Sequence, residues 1–356
     1  MRALVSKRIL ILGVNGFIGH HLSQRIISDT SWEVYGMDMS TDRLADVLDH
    51  KRFHFFEGDI TINKEWIEYN IRKCDTVLPL VAIATPATYV REPLRVFELD
   101  FEANLPIVRS CVKHRKRLIF PSTSEVYGMC RDRAFHPETS ELVLGPIAKS
   151  RWIYACAKQL MDRVIWAYGS EEGLDFTLFR PFNWIGAGLD SLSTAKEGSS
   201  RVITQFLGHI VRGEPIKLVD GGHQKRAFTY VDDGISALLK IIDNKGRVAT
   251  GKIYNIGNPR NNLSVRRLAE MMLEIAARYP EYAAQAKKVK LIETSADDYY
   301  GRGYQDVRNR VPNIDNTSKD LDWQPQVAMR AAVKKIFEAY REHVADARRL
   351  VDLPGS

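Results

Sequence analysis

The stretch Arg8-Ile9-Leu10-Ile11-Leu12-Gly13-Val14-Asn15-Gly16-Phe17-Ile18-Gly19 decides how the chain is read. Arg8 to Gly13 is almost wholly apolar, as a strand buried on both faces of a sheet requires. From Phe17 on, FIGHHLSQRIISD places Phe17, Ile18, Leu22, Ile26 and Ile27 at helical spacing. Between them lie three glycines with separate tasks. Gly13 permits a tight turn, Gly16 lets backbone approach a pyrophosphate, and Gly19 lets helix pack on sheet. The helix N-terminus, with its unpaired N–H groups and dipole, then favours an anion.

Glu33 to Met37 reads as a second strand ending at Asp38, 19 residues beyond Gly19. A carboxylate there accepts hydrogen bonds from a ribose hydroxyl and repels a 2′-phosphate, which favours NAD over NADP. A glycine turn alone is a weak signal, because glycines also serve ordinary turns; Asp38 in register strengthens it. Gly58-Asp59-Ile60, after a third strand, is placed to meet the adenine. The expected NAD contacts are Gly13, Asn15, Gly16, Phe17, Ile18, Gly19, Asp38, Asp59 and Ile60, joined by Leu80, Ala82, Thr123, Tyr154 and Lys158. Apolar strands recur at Thr76 to Ala82, Arg117 to Pro121 and Phe176 to Arg180, with helical stretches between them. Such alternation predicts an α/β fold with a Rossmann-like, doubly wound parallel sheet.

After Asn183 the rhythm changes. Gly186 to Ser200 reads as a loop, about Arg201 to Arg212 as a helix, and Ile216 to Val219 as a short strand. Phe228 to Asp243 and Lys252 to Ile256 look like one more helix and strand returning to the sheet. Leu263 to Tyr279 and Ala328 to Val344 read as amphipathic helices. The expected division is an NAD-binding domain of 1–183 plus about 222–257, and a smaller substrate-binding lobe of about 184–221 plus 258–345. Residues 346–356 are expected to be a flexible tail.

Composition bounds the function classes. A chain of 356 residues suits two lobes, and 45% hydrophobic with 27% charged residues is ordinary for a globular enzyme. The net charge of +7 comes from scattered Lys and Arg. Lys113-His114-Arg115-Lys116-Arg117 is explained by a solvated helix end at least as well as by a nucleic-acid contact, and no aromatic-studded basic strip accompanies it. A polyanionic small substrate uses such a balance more economically. Cys74, Cys111, Cys130 and Cys156 form no CxxC pair and have no His at metal spacing, so no metal site is expected. Met1 to Lys7 is too short and polar for a signal peptide, and no apolar run approaches the ~18 residues that span a membrane. The expected location is cytoplasmic.

Tyr154-Ala155-Cys156-Ala157-Lys158 puts a tyrosine and a lysine on one helix face. A free phenol, with a pKa of about 10, is a poor base at neutral pH, and a nearby ammonium stabilises its phenolate. The pair occurs by chance on many helices. Its meaning comes from Pro121-Ser122-Thr123-Ser124-Glu125-Val126-Tyr127-Gly128, about 30 residues earlier, which leaves the C-terminal end of a strand, where open α/β sheets place ligands. Bland roles compete: Ser and Thr cap helices, and Glu125 can pair with a surface base.

The glycine spacing, the Ser-x-Glu-x-Tyr-Gly segment, Tyr154/Lys158 and Arg180-Pro181-Phe182-Asn183 together resemble the extended short-chain dehydrogenase/reductase superfamily over nearly the whole chain. LPLVAIAT at 78–85, PSTSEVYGM, Arg151-Trp152-Ile153-Tyr154, RPFNW and GYQDVRNR at 303–310 look closest to its UDP-glucuronate decarboxylase branch. That branch includes the C-terminal domain of the bifunctional polymyxin-resistance protein, with UDP-xylose synthases more distantly similar. The resemblance implies oxidation of UDP-glucuronate at C4, followed by loss of CO₂ from the β-keto acid. It gives Tyr154 the C4 hydroxyl proton, Lys158 the tuning of the phenol and the nicotinamide ribose, and Ser124 the developing ketone or the carboxylate. Arg310 is implied as proton donor to C5, assisted by Glu125. Because arginine rarely deprotonates, an electrostatic or water-relayed role is physically easier; the bland alternative for Arg310 is a surface cation. Arg151 and Tyr304 are implied to clasp glucuronate and phosphates, and Asn183, Arg201 and Lys217 to hold the uridine diphosphate, with Lys225 and Arg226 in the same basic lining. A homodimer or higher homo-oligomer through the helix around Asn104 to Val112 and the one carrying Tyr154 is implied as well.

Two departures stand out. Val311 follows Arg310 where the branch commonly has lysine, and Ala187-Gly188 stands where a proline is usual. The formyltransferase domain of the bifunctional protein has no counterpart before Arg8, so a free-standing enzyme is expected, serving lipid A modification or a surface polysaccharide. Two variants of the chemistry stay open: release of UDP-4-keto-pentose with NADH, or return of the hydride to give UDP-xylose. A non-catalytic NAD or nucleotide-sugar sensor is the alternative from another class, and it would normally have lost Tyr154 or Lys158.

Overall fold

A computed structural model describes residues 6–192, 200–300, 305, 307 and 309–349. The chain begins with β1 (Arg8–Leu12), α1 (Phe17–Asp29), β2 (Glu33–Asp38) and β3 (Phe53–Glu57). It continues through α2 (Lys64–Lys73), β4 (Thr76–Pro79), α3 (Pro86–Arg91) and α4 (Pro93–Phe97). A π-helical turn (Glu98–Glu102) joins α4 to α5 (Leu105–Lys113), before β5 (Arg117–Pro121), α6 (Trp152–Glu172) and β6 (Phe176–Pro181). With the strand Lys252–Ile256 these form a seven-stranded sheet ordered Lys252–Ile256, β6, β5, β4, β1, β2, β3. Every pairing in it is parallel. Helices cover both faces, which is why its central strands are apolar throughout: Ile9 to Leu12 and Leu118 to Phe120 are fully buried. The fold is the Rossmann-like α/β architecture that the alternation predicts.

The order in which strands are added reverses at β1, whose neighbours are β2 on one side and β4 on the other. A crevice opens at such a switch point, at the carboxyl ends of the strands. β4 stops at Pro79, three residues before the expected end; Leu80 N still donates to Leu12 O (2.7 Å), and Val81 passes beside the glycine turn. A Cβ on Gly13 would stand 3.1 Å from the Val81 backbone nitrogen.

The second half of the chain adds three small sheets. Lys225–Ala227 pairs antiparallel with Asn262–Ser264 and parallel with Asn309–Arg310; Ile216–Val219 pairs with Leu291–Thr294; Trp184–Ile185 pairs with Thr229–Tyr230. Two helices therefore start later than their apolar spacing suggests. Leu263 is opposite Arg226 in a strand, and the helix Val265–Ala276 begins after Ser264, whose hydroxyl accepts from Arg267 N (3.1 Å). Thr229–Tyr230 is likewise strand, and the next helix is Val231–Asp243. At the C-terminal end, Met329–Ala339 is followed by a 3₁₀ turn and a helix over Val344–Arg349. Val344 and Ala347 are buried, so the start of the segment expected to be a flexible tail is docked on the protein. Among the described residues no helix is long and apolar enough to cross a membrane.

Buried Asp233, on the helix Val231–Asp243, accepts from Gln326 N and Val327 N (2.9 Å each) and so ties the C-terminal region to the sheet's helical layer. Asp233→Ala removes two charge-assisted bonds and is expected to lower the unfolding free energy by about 3 kcal/mol, read as an earlier urea midpoint at unchanged slope. A midpoint equal to that of the wild type would show that this tie does not contribute.

Candidate active site

Three glycines shape one wall of the cleft. Gly13 has φ +87°, and its N–H donates to Met37 O (2.8 Å), which binds the turn to β2. A Cβ at Gly19 would overlap Gly13 O and approach the Val14 Cα to 2.8 Å, so only glycine lets α1 lie this close to β1. Among the described residues no side chain caps the N-terminus of α1, and no acidic residue stands in its first turn. The cradle therefore offers an unobstructed helix N-terminus to an anion, as a dinucleotide's pyrophosphate needs.

From this wall an open cleft of about 730 Å³ runs across the carboxyl ends of the strands. Gly13, Gly16, Phe17, Ile18, Gly19, Leu80, Ala82, Thr123, Ser124, Glu125, Tyr154, Lys158, Asn183, Arg201 and Arg310 all line it. A second cavity continues from it and adds Gln205, Lys217 and Arg226. The structure thus gathers most of the expected site residues from across the chain into one continuous surface.

Four expected cofactor contacts stand outside the lining of this cleft. Asp38 sits at the tip of β2, where Oδ2 accepts from Asn15 N (2.8 Å) and Oδ1 from Met39 N (2.8 Å). Asn15 is turned toward Ser40 and Arg43. Asp59 serves its own turn, Oδ1 accepting from the backbone and hydroxyl of Thr61, while Ile60 is buried against the sheet. Arg43, which the sequence reading passed over, lines the cleft and donates to Asn15 O (3.1 Å). Tyr304 lies outside the described residues.

Tyr154 and Lys158 project from α6 one turn apart, both buried. The Lys158 ammonium donates to Pro121 O (3.2 Å) and stands 3.4 Å from the carboxylate of Asp100. Tyr154 stacks face to face on Tyr89 of α3, with ring centroids 4.5 Å apart at 7°. Burial pushes the Tyr154 phenol well above the usual tyrosine range, and the charge of Asp100 adds to this, against hydrogen bonds from Thr123 and Tyr89. Lys158 by itself does not bring the phenol down to neutral pH. Thr123 also fills the bland role, its hydroxyl accepting from Glu125 N (3.2 Å) to cap the 3₁₀ turn Ser124–Tyr127.

Glu125 lies between two guanidinium groups. Oε1 accepts from Arg310 (2.5 Å) and Oε2 from Arg151 (2.6 Å). Arg310 is only 4% exposed, which rules out the surface-cation reading. Its position is fixed by strand pairing, since Asn309–Arg310 runs alongside Lys225–Ala227 with Arg310 opposite Arg226. Arg151 is 2% exposed; it also donates to Gln305 O (3.0 Å) and lies over the Trp152 ring. It is not among the residues lining the cleft, so it supports Glu125 from behind instead of projecting toward a ligand as expected. Arg201 differs too: it lines the cleft, but its guanidinium grips the Asp190 carboxylate and Leu189 O, which offsets its charge locally. Lys217 and Arg226 remain in the lining as expected, and Asn183, held at φ +39°, donates to Ala227 O (3.1 Å).

Burial raises the Glu125 carboxyl, but Arg310 and Arg151 outweigh burial and hold it down at about 2, against an ordinary 4.5. Its folded-state value lies below the unfolded one, so the stabilisation is complete above pH 4.5 and drains away as pH falls toward 2. At neutral pH this amounts to about 3 kcal/mol. Acid titration of the unfolding free energy is expected to show a steeper loss over that window for the wild type than for Glu125→Gln; parallel curves would refute the assignment.

Comparison with known proteins agrees with this architecture. Residues 9–257 match the NAD dependent epimerase/dehydratase family. The crystal structure of PbgP3 protein from Burkholderia pseudomallei is 71% identical, with a TM-score of 0.88 over 97% of this chain and 99% of that one. UDP-glucose 4-epimerase from Thermotoga maritima, solved with UDP-glucose, shares the fold at 24% identity and a TM-score of 0.78, over 95% of this chain and 99% of that one. The dTDP-glucose 4,6-dehydratase from Bacillus anthracis, solved with NAD, does so at 19% identity and a TM-score of 0.76, over 97% of this chain and all of its counterpart. With an NAD-shaped glycine cradle and a Tyr–Lys pair in one cleft, the chain belongs to the NAD dependent epimerase/dehydratase family, and NAD is its cofactor.

Proposed function

We propose that this chain catalyses NAD-dependent oxidative decarboxylation of UDP-glucuronate, giving UDP-4-keto-pentose, CO₂ and NADH. The observation that carries this reading is the buried Arg310–Glu125–Arg151 cluster, whose Glu125 and Arg310 face the same cleft as Tyr154. Oxidation of a sugar alcohol needs the tyrosine and lysine; it does not need a carboxylate held between two arginines. That cluster carries one more positive than negative charge and suits a substrate that brings its own carboxylate.

Placement in the cleft supports the following roles. NAD would be held along the glycine turn of Gly13, Gly16 and Gly19 and would supply the acceptor for the C4 hydride. Tyr154, as its phenolate, takes the C4 hydroxyl proton, and Ser124, which lines the cleft on the 3₁₀ turn, donates to the developing ketone. The ketone is then β to the C6 carboxylate, and the electrons of the breaking C5–C6 bond flow into an enolate. Arg310 stabilises that enolate electrostatically, and a proton reaches C5 through water ordered by Arg310 and Glu125. Lys217 and Arg226 hold the diphosphate and Asn183 orients the nucleotide end. On this reading the NAD-binding domain is 1–183 plus about 222–257, the substrate lobe about 184–221 plus 258–345. Exposed Leu160 and Trp166 on α6 support pairing of subunits along that helix.

Incubation with UDP-glucuronate and NAD is expected to evolve CO₂ with a matching rise in NADH absorbance. CO₂ without NADH would instead indicate return of the hydride and a UDP-xylose product. Absence of CO₂ would refute decarboxylation and leave epimerisation or dehydration. Tyr154→Phe is expected to cut turnover by about 10³, and full turnover in that variant would overturn the role of the phenol.

A further inference from the structure

Tyr340, just past the end of the helix Met329–Ala339, is buried, and the chemistry above leaves it unused. Its hydroxyl accepts from Gly188 N (3.0 Å) and donates to Asp190 O (3.1 Å). One phenol thus fixes the loop that leaves Trp184–Ile185 on both sides of Leu189. Of the pair Ala187-Gly188, which departs from the branch's usual proline, Gly188 sits at φ +74° and has the N–H that a proline lacks. The loop has two further anchors. His21 Nε2 of α1 lies 3.0 Å from Ala187 O, and the Asp190 carboxylate accepts from Arg201 N (2.9 Å) and Nε (3.1 Å). Only the Tyr340 anchor comes from the C-terminal region.

The place of this loop gives those bonds a use. Asp190 and Ser191 line the main cleft on one side and, on the other, a cavity of about 570 Å³ shared with Asn15, Ser40 and Arg43. Asn15 and Arg43 stand at the tip of β2, where Asp38 is expected to meet the adenosine ribose. A Cβ at Gly188 would lie 3.9 Å from the Arg43 Cδ. The loop therefore stands beside the adenosine end of the cleft. We propose that Tyr340 is a positioning residue of the cofactor site: by holding Gly188 and Asp190 it keeps the loop seated at the adenosine end, and so sets how fast NADH leaves the protein. A ligand that needs the seated loop loses affinity in proportion to the time the loop spends unseated. Two backbone bonds to a buried phenol are enough to shift such a population about tenfold. A loop that stays seated keeps NADH in place for return of its hydride, and one that opens early favours release of the keto sugar with NADH.

This rests on NAD lying along the glycine turn, and its test uses no sugar substrate, so a wrong choice of UDP-glucuronate would leave the result untouched. Protein loaded with NADH is mixed with excess NAD⁺, and the loss of bound-NADH fluorescence gives the rate of departure. In Tyr340→Phe that rate is expected to rise about tenfold. Equilibrium affinities for NADH and for ADP-ribose are expected to fall by the same factor. That for reduced nicotinamide mononucleotide, which lacks adenosine, is expected to stay at the wild-type value. An unchanged departure rate overturns the proposal, and so does equal weakening of all three ligands, the mark of a general loosening. Should Tyr340→Phe not fold, hydrogen exchange of the wild type decides. The Gly188 amide is expected to exchange more slowly with ADP-ribose bound, and at its free-protein rate with reduced nicotinamide mononucleotide. Exchange that ignores ADP-ribose, or that responds alike to both ligands, overturns the proposal.

Discussion

The bond between Glu125 and Arg310 joins residues 185 positions apart, and the active cleft depends on it. Glu125 comes from the turn that leaves β5, at the carboxyl edge of the large sheet. Arg310 comes from a two-residue strand in the second half of the chain, registered against Arg226. Neither half holds a complete site. Loss of Glu125 would leave two buried guanidinium charges without the carboxylate between them, a far larger penalty than loss of an exposed pair. Arg151, with Gln305 and Trp152 around it, keeps the carboxylate from rotating away. The same three charges therefore bind the two halves together and, in the proposed reaction, supply the feature that a cleft for oxidation alone does not need.

Much of this was legible in the sequence, for a definite reason. β1, β5 and β6 lie in a parallel sheet covered on both faces, so burial imposes a continuous apolar run that nothing else requires. Gly13 and Gly19 are read with equal security, because φ +87° at the first is a conformation that other side chains rarely adopt and a Cβ at the second would overlap Gly13 O. Tyr154 and Lys158 share a helix face by spacing alone. What a sequence does not carry is the partner of a given charge. Arg201 was expected at the diphosphate and grips Asp190; Arg151 was expected in the cleft and stands behind Glu125. Both outcomes depend on how loops eleven and twenty-six residues away fold back.

Tyr89 and Asp100 show the same limit from another direction. Tyr89 sits on a six-residue helix too short to have a pattern, and only the tertiary placement of α3 stacks it on Tyr154. Asp100 lies in a segment, Glu98-Leu99-Asp100-Phe101-Glu102, whose alternating acidic residues look like a solvated face. The π turn breaks that alternation and buries one of the three. Helix boundaries failed for a related reason: Leu263 continues the apolar spacing of the helix that follows, but the need of Lys225–Ala227 for an edge partner claims it as strand.

The two carboxylates near Tyr154 are matched differently, and the difference bears on substrate choice. Asp100 is balanced one to one by Lys158, deep beneath the phenol. Glu125 faces two arginines, so the far side of the tyrosine keeps a surplus positive charge, in low-dielectric surroundings where such a surplus counts. A sugar bound with C4 at the phenol has its C6 substituent directed to one side or the other. A carboxylate gains by facing Glu125 and its arginines through water or Arg310, and gains nothing beside the neutral Asp100–Lys158 pair. A hydroxymethyl group in the same place is indifferent to the surplus. In the proposed reaction this asymmetry both orients the carboxylate for cleavage and stabilises the enolate that cleavage leaves, so that one charge imbalance serves recognition and chemistry together.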